Sequence, residues 1–228
     1  MDQKLIAALL QPFLQRDLSS AQLGKVAVYI DTLLKWNARI NLTSIRDEQQ
    51  IVTRHFGESF FLAQSLFTGG RHGSPDENER LAEGPGGSVL DIGSGAGFPG
   101  LPVKIWADQV GLTMVEANHK KSIFLREVVR AIGLQDVNVT SERAETLAEN
   151  PDVARADVVT LRAVERFVKI LPVALTLLAP SGRLALLIGR EQIEVLPRDV
   201  GIVWEPPIRV PESASRVLCI GRKIEKVG

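Results

Sequence analysis

Val89-Leu90-Asp91-Ile92-Gly93-Ser94-Gly95-Ala96-Gly97-Phe98-Pro99-Gly100 is the stretch that decides the fold of this chain. A short apolar run ends on an acid, glycines follow at alternate positions, and a helix-starting proline comes next. Glycine has no Cβ, so the backbone turns sharply there and a ligand can come close to it. The pattern reads as a first buried strand, a tight turn and a helix N-terminus, the local frame of a nucleotide-type site.

Downstream of this turn, apolar strand patterns alternate with helical ones. Thr113–Glu116, Val137–Thr140, Ala156–Leu161 and Arg183–Ile188 read as strands. Helices are expected from about Pro99 to Ala107, Lys120 to Ile132, around Ala144–Ala148, and from Glu165 to Leu178. Val200–Trp204 and Ser215–Ile220 are late strands rich enough in β-formers to pair as a hairpin. Repeated βα units imply an α/β fold, a Rossmann-like parallel sheet covered by helices on both faces.

Upstream the pattern is helical. Leu5, Ile6, Leu9, Leu10, Phe13 and Leu14 form one stripe, and Leu23, Val26, Ala27, Ile30, Leu33 and Leu34 form a second after a Ser19-Ser20 cap. A third helix begins near Asp47 and carries Ile51, Val52, His55, Phe56, Ser59, Phe60 and Leu62. Between the last two, Trp36–Ser44 reads as an ordered loop. The chain thus divides into a helical N-terminal region over 1–68, a Gly- and Pro-rich flexible connection over 69–87 that carries a solvent-exposed His72, and a Rossmann-like domain over 88–228.

Charge is balanced, with 27 basic and 27 acidic residues among 228. That neither supports nor excludes a nucleic-acid partner. No signal peptide and no apolar run of membrane-spanning length is evident. Cys219 stands alone, so no disulfide forms within the chain; it reads as a core residue in a cytoplasmic protein. No His/Cys/Asp/Glu cluster has metal-ligand spacing, so no metal is expected.

In open α/β sheets the ligand lies outside the carboxyl ends of the strands. Asp91, Gly93, Gly95, Gly97 and Phe98 follow the first strand; Glu116, Ala117 and Asn118 follow the second. Arg143-Ala144-Glu145 follows the third and Arg162 ends the fourth. Three acids and one arginine are therefore expected on one rim. Gly95–Gly100 satisfies G-x-G-x-x-G, the dinucleotide fingerprint, but an acid just before that loop crowds a pyrophosphate. S-adenosylmethionine has no phosphate, its cationic groups tolerate carboxylates, and its ribose suits an acid after strand two. The residues favour the methyl donor, with an NAD-type oxidoreductase and a small-molecule methyltransferase as alternatives. Glu145 has a simpler reading as an N-terminal helix acid, and Arg162 as a surface ion-pair partner.

The chain resembles the RsmG (GidB) methyltransferases of bacterial 16S ribosomal RNA. The resemblance is carried by Lys35-Trp36-Asn37 with Asn41-Leu42-Thr43-Ser44, by Arg54-His55, and by Asp91–Pro102 with its Pro-Gly-Leu-Pro continuation. It continues through Lys120-Lys121, Phe124-Leu125, Arg143-Ala144-Glu145 and Arg162-Ala163. It implies methyl transfer from S-adenosylmethionine to N7 of one guanine, in naked RNA or the small ribosomal subunit. By that similarity Gly93 and Phe98 line the donor, Glu116 holds its ribose, Ala144-Glu145 borders the adenine, and Arg162 lies beside donor and base.

Such a transfer needs no general base, and Arg162 is the one catalytic candidate, hydrogen-bonding the guanine O6 edge, a phosphate or the methionine carboxylate. Arg39, Asn41, Arg46, Arg54, His55, Lys120 and Lys121 are candidate RNA contacts. His55 lies on an apolar stripe and reads equally as core, and Trp36 reads as core. A monomer is expected, with no membrane partner. The chain departs from the family at Glu58, where Asp is usual, in a longer 69–87 connection, and in lacking a Lys before Gly189, whose contact is either missing or supplied by Arg190.

Overall fold

The computed structural model describes residues 1–67, 87–162, 167–197 and 201–224. Nearly all of the expected 69–87 connection, with His72, lies outside them, as do Ala163 and the expected helix start at Glu165. Helix α1 spans Gln3–Leu10 and α2 spans Ser20–Asn37. The Ser19 side chain accepts from Gln22 N–H while Gln22 returns the bond to the Ser19 backbone, so the expected cap is a full capping box. Helix α3 covers 48–67. It starts as Glu48–Gln50 behind an Asp47 cap, widens to a π-helix over Ile51–Gly57 and ends as Glu58–Phe67.

The sheet comprises β1 (Ser88–Ile92), β2 (Gly111–Val115), β3 (Val137–Thr140), β4 (Ala156–Arg162), β5 (Leu178–Gly189), β6 (Ile202–Trp204), β7 (Ile208–Arg209) and β8 (Arg216–Lys223). Helices α4 (Gly100–Trp106), α5 (His119–Ala131), α6 (Ala144–Glu149) and α7 (Phe167–Leu177) connect its strands. The order is β3-β2-β1-β4-β5-β8-β6, with β7 pairing β8 off this path. Strands β1 to β5 are parallel. At one edge β8 runs antiparallel to β5, β6 and β7, with β6 and β8 paired as the hairpin pattern of the late strands predicts. Returning from β6 by a hairpin-like route, rather than by a crossover helix, it must enter in the reverse sense.

Period-two burial separates the two faces. Val89, Met114, Val158, Leu187 and Leu218 point into a core shared with α1 through α5. Leu90, Val115, Val159, Leu186 and Cys219 point into a second core beneath α6 and α7. The helices of 1–67 thus form one layer of the same body as the sheet. Burial pushes the Cys219 thiol up to about 11, as befits an inert core residue.

Candidate functional site

The strand order reverses between β1 and β4, and a crevice of about 600 Å³ opens at their carboxyl ends. Its floor is the glycine turn. Gly93, Gly95 and Gly97 all take positive φ, and a Cβ on Gly97 would stand 2.6 Å from Leu101 and against the Tyr29 hydroxyl. That hydroxyl donates to the Ala96 carbonyl. Tyr29 is fully buried, and its burial together with Asp91 holds its phenol well above the ordinary value.

Asp91 does not reach the crevice, and of the three acids expected on the rim only Glu116 lines it. Asp91 sits on the same face as Thr160, its registered neighbour on β4, and is fully buried. One carboxylate oxygen accepts from Thr160 Oγ1 at 2.7 Å and the other from Gly100 N–H at 3.3 Å. Burial pushes the acid up to about 6, with the Thr160 bond opposing. Asp91 therefore braces the turn from below and closes off the N-terminus of α4.

Glu116 does face the crevice. Its two oxygens accept from Gly95 N–H and Asn118 N–H, both at 2.8 Å, which ties the end of β2 to the glycine turn. Asn118 caps α5 through the Lys120 and Lys121 N–H groups. Ala117, Asn118 and Glu145 are exposed, and Ala144 is buried at the start of α6. These four do not line the crevice.

The opposite wall comes from the N-terminal helices. Phe98 stacks between Tyr29, centroids 5.3 Å apart, and His55, centroids 4.7 Å apart. Thr43 Oγ1 lies 2.8 Å from His55 Nε2. The Leu42–Thr43 turn is held by Asn37, whose side chain accepts from Leu42 N–H and Thr43 N–H and donates to the Thr43 carbonyl. This is what the Trp-Asn…Asn-Leu-Thr element does: it clamps a lip over the glycine turn. Trp36 packs edge-on against Phe124. His55 is half-buried in the wall; burial and the nearby Arg162, Arg54 and Arg216 lower it to about 3, so it is neutral at neutral pH.

Arg162 projects from the end of β4 onto the π-helical turn. It pairs with Glu58 at 3.0 Å and donates to the Arg54 carbonyl, and to the His55 carbonyl at 3.4 Å. Its remaining neighbours are Ser59 Oγ at 3.5 Å and His55 Nδ1 at 3.3 Å. Both members of the ion pair are buried. Burial lowers the guanidinium from its ordinary value and Glu58 raises it again; it stays protonated either way. These contacts anchor Arg162 to α3, and its side chain also lines the crevice.

Arg54, His55 and Lys121 line the crevice; Arg39, Asn41, Arg46 and Lys120 are exposed outside it. Sequence reading missed Tyr29 and Arg216. Tyr29 belongs to the second helical stripe, and its place one turn from Val26 and Leu33 was the available signal. Among the described residues no group of His, Cys, Asp and Glu is placed to hold a metal ion, and no helix is long and apolar enough to cross a membrane.

Comparison with known proteins gives a consistent picture. Residues 22–199 match the family model GidB, described as rRNA small subunit methyltransferase G. The chain is 36% identical over 216 residues to the ribosomal RNA small subunit methyltransferase G of Chloroflexus aggregans, covering 91% of this chain and 84% of that one. It is 35% identical over 216 residues to the protein of the same name from Roseiflexus castenholzii, covering 91% and 86%. Among solved structures, TrmN from Thermus thermophilus aligns with a TM-score of 0.53 at 22% identity, over 76% of this chain and 53% of that one. That last likeness speaks for the fold alone.

Proposed function

This chain belongs to the GidB family of small-subunit rRNA methyltransferases, and from that premise we propose that it transfers a methyl group from S-adenosylmethionine to N7 of one guanine in 16S ribosomal RNA. The observation that carries the choice of donor is the hydrogen bond from Gly100 N–H to Asp91. A dinucleotide site offers its pyrophosphate the N-terminus of the helix after the glycine turn. Here a buried carboxylate already occupies that N-terminus, and Glu116 adds a second acid beside the turn. Both repel a pyrophosphate and suit a cationic, phosphate-free adenosyl compound. The crevice volume falls in the range of small-ligand sites.

In this reading Gly93, Gly95 and Phe98 line the donor. A carboxylate has about four acceptor positions; two on Glu116 hold backbone N–H groups, which leaves two for the ribose hydroxyls. Ala144 and Glu145, at the start of α6, border the adenine side, and Asn118 shapes the same edge by capping α5. When bound, S-adenosylmethionine supplies an electrophilic methyl group on a cationic sulfur. Guanine N7 presents an in-plane lone pair without losing a proton, so no residue has to act as a base. A neutral His55 and a permanently charged Arg162 are consistent with that. The chain contributes placement: Asn37 and Arg162 hold the two walls, and the Tyr29–Phe98–His55 stack sets the crevice width.

The experiment is transfer of a tritiated methyl group to small ribosomal subunits from a strain that lacks the modification, with the labelled nucleotide mapped. Label at guanine N7 of 16S RNA is expected. Label on another atom, or none in the RNA, overturns the reading.

A further inference from the structure

The carboxyl rim of a parallel sheet collects the last residues of its strands. An antiparallel strand reaches the same rim with its first residue instead. In this sheet that strand is β8: Arg216 opens it and pairs with Gly189, the last residue of β5. Arg216 lines the crevice together with Arg54, Arg162 and Lys121. Arg190, one candidate to supply a cation at this end of β5, is exposed on the 3-10 turn Arg190–Val195 and does not line it.

Of the three arginines, Arg162 is neutralised by Glu58. Among the described residues no carboxylate pairs with Arg54 or Arg216. Arg54 is exposed and Arg216 half-buried, so both stand where the crevice meets solvent. They come from different walls, one from the π-helical turn of α3 and the other from β8. Both line the crevice together with His55, whose protonation their charges disfavour. Two unneutralised cations lining one crevice repel one another, and an anion bound by both relieves that repulsion.

We propose that Arg54 and Arg216 form a clamp for one phosphodiester of the RNA beside the nucleotide that is methylated, which makes Arg216 a substrate-positioning residue. The inference rests on the methyl-transfer reading above. A single arginine in the plane of a base reads a guanine edge. Two arginines carried by different elements at one crevice can instead each take one of the two non-bridging oxygens of a phosphodiester, which point in different directions.

The test uses the full chain with Arg216→Gln and Arg216→Lys, assayed on unmodified small subunits at several salt concentrations, with calorimetry for S-adenosylmethionine and thermal melting as controls. Arg216→Gln is expected to raise KM for subunits roughly tenfold, as loss of one charge-assisted contact does. It leaves kcat within about twofold and the donor Kd unchanged. The log–log salt dependence becomes shallower by about 0.7–0.9, one phosphate contact, and Arg216→Lys restores the slope. An unchanged KM and slope in folded Arg216→Gln overturns the clamp. So does a weakened donor Kd with an unchanged slope, which makes the donor's carboxylate the anion. Failure of the wild-type chain to label subunits refutes the methyl-transfer reading itself and is read without any variant.

Discussion

Replacing Arg162 by Met separates an anchor from a substrate contact. Met keeps much of the length and apolar stem but removes the guanidinium. Glu58 is then left buried without its partner, since both side chains of the pair are enclosed and 3.0 Å apart. Breaking a buried pair from one side costs about 3–5 kcal/mol. The Arg54 carbonyl also loses a donor, whereas the His55 carbonyl keeps Ser59 Oγ at 2.6 Å. For a chain of this size each kcal/mol moves the melting temperature by about 2–4 °C, so Arg162→Met should melt roughly 6–20 °C lower. Combining it with Glu58→Gln removes the stranded charge, and the double variant should regain about 2–3 kcal/mol as coupling energy. Calorimetric melts of the four proteins in the cycle, beside methyl-transfer rates, give the answer. If Arg162→Met melts within about 2 °C of the wild type while transfer is lost, the guanidinium serves substrate and the anchoring argument is wrong.

Gly97→Ala should cost more than about 2 kcal/mol, because φ is +89° and the new Cβ meets Leu101 and the Tyr29 hydroxyl; a melting temperature near that of the wild type would contradict it. Asn37→Ala removes all three bonds that hold Leu42 and Thr43. It should destabilise by about 1–3 kcal/mol and raise KM for subunits, measured by denaturant melts and steady-state kinetics; unchanged values in both would show that the lip needs no clamp. His55 is neutral in the folded state down to about pH 3 but protonates near 6.5 when unfolded. Unfolding therefore takes up a proton, and this stability is present above 6.5 and lost as the pH falls towards 3. Asp91, raised to about 6 from 3.8, works in the opposite sense: its contribution is present below 3.8 and lost as the pH rises through 6. His55→Gln should thus flatten the stability profile just above pH 6, where His55 acts alone, and kcat should show no limb near 6.5 in the wild type; either limb or an unaltered profile refutes a neutral His55.

Much of this molecule is legible in its linear order. Ser19 and Asp47 cap helices because capping joins residues three apart, and the stripe through Val26, Ile30 and Leu33 is buried as its helical spacing requires. The glycine turn and the acid after β2 are equally local, so this side of the crevice could be located from the sequence. The π-helical turn of α3 left no comparable mark. It lies over a run, Ile51–Gly57, that also reads as an ordinary helix.

What the sequence by itself determined is the set of elements, their order, and the strand ends that hold the glycine turn and Glu116. What only the tertiary structure decided is which side chains meet across long separations. Arg162 finds Glu58 and the π-turn carbonyls more than a hundred residues away, Asp91 turns under the loop towards Thr160, and Arg216 reaches the rim because β8 runs backwards. Local pattern encodes periodicity and caps, whose partners lie within one turn or one pleat. Partners set by strand register and by packing of helices on a sheet depend on every intervening element, and no short window of the chain contains them.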